Sequence, residues 1–142
     1  MTQDMKTFPI IVLLLSGLAL SYASASRLFD PAAAVFLQTF FENPTHSLEV
    51  STDLVNEIRG IGTVMLLAGV VAIIGVFRPA FRVTALTVTT VIFVGVALGR
   101  AISMGIDGMP PPELMRVFMI EGILALMNLL SLTFSLVQND RA

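Results

Sequence analysis

The sequence predicts an all-α integral membrane protein, a four-transmembrane-helix antiparallel bundle with an interfacial helix in its first outer loop. Three observations carry that expectation. Hydrophobic residues make up 56% of the 142 positions and charged residues only 13%, far from the balance of a soluble domain. Mean hydropathy is +0.90. The apolar residues also gather into four uncharged runs bounded by charges, each near the roughly 20 residues that cross a hydrocarbon core. A chain of this length makes a single membrane domain.

The same composition removes several function classes. Without cysteine there is no disulfide framework, thiol nucleophile or thiolate metal site. His46 is the single histidine, too few for a histidine metal site or triad, and in THSLEV it reads as a solvated loop residue. No metal or cofactor is therefore expected. The net charge of −2, with no basic cluster, gives no nucleic-acid footprint.

The first run, residues 7–26, lies between Lys6 and Arg27 and sets a span at about 7–27. Two readings compete for it. Lys6, then PIIVLLLSGLAL, then SYASAS has the layout of a signal peptide, with Ala23 and Ala25 in the small-residue cleavage pattern. Retention as an anchor helix is favoured, because Asp4 offsets Lys6 and the basic n-region is weak.

Residues 28–56 form the outer loop. Asp30-Pro31 can start a short helix, and AAAVFLQTFF sets Phe36 with Phe40, and Leu37 with Phe41, at four-residue spacing. That pattern lays aromatic rings into a membrane surface. The loop is then a lid over a lateral opening or, more simply, a connector resting on the bilayer. Asn43-Pro44-Thr45 is no glycosylation site, since proline occupies the middle position.

The second span, about 57–77, opens with NEIRG. Glu57 and Arg59 are two apart and so point to different faces. Gly62, Gly69, Ala72 and Gly75 supply small residues for close helix packing. The short FRPAFR turn, with Pro79 inside it, separates this span from the third, at about 82–104. There Gly95, Gly99 and Ser103 repeat at intervals of four, the small-xxx-small pattern of close membrane helix contacts. Arg100 is expected inside that packing surface, where an unpaired guanidinium is expensive. Asp107 falls seven residues on, about two turns along the same face.

The fourth span, about 113–137, follows Pro110, Pro111 and Pro112, which suit a helix start because no donor is wasted there. Glu113 complements the positive helix end. Glu121 lies eight residues further, roughly 12 Å along the axis and inside the apolar layer. Ala125, Asn128 and Ser135 continue its face. A carboxylate at that depth needs a partner, and Arg100, at the adjoining end of the preceding span, is the obvious one. Glu57 and Asp107 are placed to share the charge.

Orientation follows from the bias of basic residues toward the cytoplasm. Lys6, Arg78, Arg82 and Arg141 face only Asp4 and Asp140 on one side. On the other, Arg27, Arg59, Arg100 and Arg116 are outnumbered by Asp30, Glu42, Glu49, Asp53, Glu57, Asp107, Glu113 and Glu121. Both termini are expected in the cytoplasm of a bacterial cell, with the polar cluster outside.

NEIRG, GRAISMGIDG and the glutamate at 121 resemble the bacterial domain-of-unknown-function family numbered 4345, small four-helix inner-membrane proteins. The resemblance runs from the first helix to the last. It implies the topology and a shared polar site of Glu57, Arg59, Arg100, Asp107 and Glu121, and it brings no activity. A more distant similarity to DoxX-like four-helix membrane proteins is architectural alone.

Three function classes follow. One is a site for a lipid or quinone-like amphiphile, entering sideways with its head at Arg100, Glu121 and Asn128. Another is an accessory or scaffold subunit, in which the charges lock the bundle and the outer faces bind a membrane-protein partner or a second copy. The third is a proton-coupled transporter or membrane enzyme using Glu121. The first two are favoured: a four-helix bundle lacks the inverted repeats of most secondary transporters, and no nucleophile–base pair or metal set is visible. Fixing helix register is a sufficient role for an arginine–carboxylate pair in any of them.

Overall fold

A computed structural model describes residues 4–31, 52–110 and 112–139. Its elements are α1 (Asp4–Phe29), α2 (Thr52–Phe77), a 3₁₀ turn (Pro79–Phe81), α3 (Arg82–Asp107) and α4 (Pro112–Asn139). All described secondary structure is helical. Each of the four α-helices contains a stretch long and apolar enough to cross a membrane. The outer-loop helix expected around Phe36, Leu37, Phe40 and Phe41 falls outside the described residues, as does His46.

The breaks between helices have local causes. After α2 the chain extends at Arg78 (φ −118°, ψ 99°), as the residue before a proline must. Pro79 then opens the 3₁₀ turn, closed by the Phe81 amide donating to the Arg78 carbonyl at 3.0 Å. Gly108 ends α3 at φ 99°, a left-handed conformation that glycine adopts without strain. Pro112 starts α4 where a missing amide donor costs nothing.

Glycine brings α1 and α2 together, and theirs is the most extensive helix contact in the bundle. A Cβ on Gly69 would lie 3.0 Å from the Ser21 hydroxyl and 3.3 Å from the Gly17 carbonyl. One on Gly17 would strike Ile73, and one on Gly75 would collide with Ala85 of α3. The expected small-residue contact along Gly62, Gly69, Ala72 and Gly75 is present, and all four are buried.

The core has two apolar layers. Leu20, Met65, Phe93, Leu124 and Ala125 fill the layer nearer Arg100. Val12, Leu13, Ala72, Ala85 and Leu86 fill the other. Most large apolar side chains point outward instead, among them Leu18, Leu67, Val91 and Leu126. In water such a surface would aggregate; against lipid tails it is the matched face.

Candidate functional site

α3 and α4 meet at the end of the bundle that carries Arg100 and Glu121. The Arg100 Nε donates to Glu121 Oε2 at 2.5 Å and its Nη2 to Oε1 at 3.1 Å. This is the paired fork that a guanidinium makes with a carboxylate. The side chains are 23% and 13% exposed. The helices place them simply: Arg100 sits near the end of α3, and Glu121 more than two turns into α4. The long arginine stem spans the difference.

Arg27, in the last turn of α1, is the third member of this group. It is half-buried, repelled by Arg100 and attracted by Glu121. Its Nη1 donates to the Ala23 carbonyl, one turn back along its own helix, at 2.8 Å. Gly62 makes room for it, since a Cβ there would lie 2.8 Å from the Arg27 Cβ. The sequence places Arg27 as the boundary of the first span and among the cations of the outer side, not in the polar cluster. The signal available was its four-residue register with Ala23 and the facing glycine.

The other expected members are placed elsewhere. Asp107 accepts a 2.7 Å hydrogen bond from Ser103 on the exposed face of α3. Glu57 and Arg59 are exposed near the start of α2. Among the described residues, neither Glu57 nor Asp107 bonds to Arg100, whose fork is taken by Glu121.

Asn128 lies deeper, fully buried, and forms a separate lock. Its Nδ2 donates to the Ser16 hydroxyl and to the Leu124 carbonyl, both at 2.8 Å. Its Oδ1 accepts from the Thr89 hydroxyl at 2.6 Å. Three helices are thereby joined by one amide with its hydrogen-bonding capacity well used. Nearby, the buried hydroxyls of Thr90 and Ser131 lack partners among the described residues.

One expectation about the third helix is corrected. Among the described residues Gly95 and Gly99 do not line a helix contact, since a Cβ on either would meet nothing within 4 Å, while Ser103 borders the space beside Arg100. The reason is angular. At about 100° per residue, Gly99 is a quarter-turn from Arg100 and Gly95 lies further round. Turning Arg100 inward to Glu121 turns the glycine stripe outward.

Two open spaces border the site. A pocket of about 80 Å³ beside Arg100 is walled by Ser103, Met104, Gly108, Pro110, Leu114 and Phe118. A larger groove of about 660 Å³ runs between α2 and α3. Asn56, Glu57, Arg59 and Thr63 give it polar lining, and Ile61, Val64, Met65, Ile92 and Val96 give it apolar lining. Val96 is one turn from Arg100, so the groove ends close to the ion pair. Among the described residues no group of His, Asp or Glu is gathered to hold a metal ion.

Residues 10–132 match the family described as Domain of unknown function (DUF4345). No curated protein and no solved structure matches the chain.

Proposed function

We propose that this chain, which belongs to the DUF4345 family, is an inner-membrane protein that binds a small amphiphile at the Arg100–Glu121 end of its bundle. The groove between α2 and α3 carries the reading. Its volume of about 660 Å³ lies within the usual range for small-molecule sites. Polar groups sit toward the start of α2 and apolar ones follow along the helices, the order of a headgroup and its chain. Because both walls belong to helices fit to span a membrane, the chain of such a ligand enters sideways from the bilayer. The four helices alternate in direction, both termini lie in the cytoplasm, and the groove's polar end faces the periplasm. The basic residues around FRPAFR support that orientation. The first helix is retained, since it contributes Ser16 and Arg27 to the interior.

Native mass spectrometry of protein purified in mild detergent tests this. An amphiphile should be retained at one per chain, and Val96→Trp, which fills the groove, should expel it. Folded wild type that holds no amphiphile, and takes none up when it is added back, would rule the reading out.

A second reading has one observation in its favour. The outward Gly95, Gly99 and Ser103 face is shaped for a neighbouring helix, as an accessory subunit or scaffold requires. A stoichiometric partner surviving mild solubilisation, and lost in Gly99→Leu, would favour it. A proton-coupled transporter or membrane enzyme built on Glu121 has less support, because the Arg100 fork engages both oxygens of its carboxylate.

A further inference from the structure

We infer that the amphiphile is a zwitterionic phospholipid, with its phosphate at Arg59 and its ammonium at Glu57. This deepens the amphiphile reading above, on which it rests, by naming the headgroup that the groove takes. Among the described residues that line the groove, Glu57 and Arg59 are the charged ones. Both are exposed, and among the described residues neither side chain has an ion pair or a hydrogen bond. One negative and one positive charge therefore stay open to a ligand along the same wall.

Their places on α2 set the order in which a headgroup meets them. At about 100° per residue, Glu57 and Arg59 fall on opposite sides of the line through Gly60, so they flank it. A Cβ on Gly60 would meet nothing within 4 Å, which leaves the floor between the two charges open. Asn56, one turn earlier on that line, adds an amide to the floor. Arg59 stands deeper along α2 than Glu57, by roughly 3 Å of helix axis. The apolar lining begins beyond it at Ile61 and continues with Val64 and Met65. From the apolar end outward the wall therefore runs from hydrocarbon surface to cation to anion. A phospholipid whose headgroup ends in an ammonium carries the complementary order of tails, phosphate and ammonium. A guanidinium meets a phosphate through a fork of N–H donors, and a carboxylate accepts from an ammonium. Asp53, one turn before Glu57 on the same side of the helix, adds a second negative charge at the outer edge. That charge favours the ammonium and opposes a headgroup of net negative charge.

Delipidated full-length protein in a neutral detergent is offered phosphatidylethanolamine, phosphatidylglycerol and diacylglycerol with identical acyl chains, and free phosphoethanolamine separately. Native mass spectrometry reads the bound fractions. Phosphatidylethanolamine should bind about threefold better than phosphatidylglycerol, the factor expected of one ion pair at a solvated surface. Glu57→Gln should remove that preference and leave diacylglycerol binding in place. Arg59→Gln should lower phosphatidylethanolamine binding toward that of diacylglycerol. Glu57→Arg/Arg59→Glu keeps the same two charges in the opposite order, and it should lose the preference while holding diacylglycerol as wild type does. If a variant does not fold, the ranking of the three lipids on wild type still decides. Equal binding of all three, or a preference for phosphatidylglycerol, overturns the zwitterion and leaves the amphiphile reading standing. A preference that survives the exchanged charges overturns the roles of Glu57 and Arg59. Saturable binding of no lipid overturns both readings, and uptake of phosphoethanolamine without any lipid overturns the phospholipid as occupant.

Discussion

Removing the Arg100–Glu121 pair one member at a time gives a quantitative test of its geometry. Two unit charges about 4 Å apart interact by about 4 kcal/mol at the effective dielectric of partly buried sites. Stranding one partner of a buried pair costs about 3–5 kcal/mol. The side chains keep 23% and 13% of their exposure, which favours the low end. Arg100→Leu and Glu121→Leu should therefore each cost about 3 kcal/mol. The double change should recover much of that loss, because the second substitution removes the charge that the first left stranded. Reversible unfolding in mixed micelles, titrated with SDS and followed by far-UV circular dichroism, measures all three. The expected coupling is therefore above about 3 kcal/mol, against the roughly 0.5 kcal/mol within which independent sites add. Additive losses would refute the bidentate pair. Ser103→Ala, which removes one exposed hydrogen bond to Asp107, is the control and should change little.

Asn128→Ala should cost about 1–3 kcal/mol, since hydrogen bonds between membrane helices average about 0.6 kcal/mol and a cavity adds to them; the same SDS titration reads it. Gly75→Val should destabilise the monomer by pushing α2 off Ala85, whereas Gly95→Val should leave monomer stability within about 0.5 kcal/mol because the space is open. Equal effects of the two would show that the helix faces are misassigned. Reporter fusions after Arg82 and after Ala142 should read cytoplasmic, and one after Thr45 periplasmic. A periplasmic C-terminus would overturn the orientation, and a purified protein beginning at Ser26 would show the first run to be a cleaved signal.

The helices were legible because charges bracket them. Lys6, Arg27, Arg59, Arg78, Arg82 and Arg100 mark where apolar runs begin or end, and a membrane tolerates few alternatives to helices at those lengths. Arg100 with Glu121 was legible for a related reason: consecutive helices joined by a short connection place them at adjoining ends, and neither charge can be left alone. Asn128 was legible as a polar residue on the Glu121 face but not as a lock. Its partner Ser16 lies 112 residues away, and serine is too common to single out. The glycine stripe of α3 shows the limit most plainly. Its spacing announces a close contact, yet spacing alone does not say whether the partner helix is in the same chain. Arg27 was hidden by its position, because an arginine at the end of an apolar run already has an explanation as a boundary.

The separation of 21 positions between Arg100 and Glu121 also bears on how the chain enters a bilayer during synthesis. At about 5–20 residues per second, roughly one to four seconds pass between the appearance of the cation and that of its counter-ion. An arginine at the centre of a membrane helix opposes insertion by about 2.5–3.5 kcal/mol, and Arg100, nearer the end of α3, by less. Entry of α3 and α4 together as a hairpin would bring the cation and its counter-ion into a bilayer already paired. The α1–α2 pair is joined instead through small residues, Gly17 and Gly69 among them. The Asn128–Ser16 bond then ties the last helix to the first, so complete assembly registers only when the whole chain has arrived.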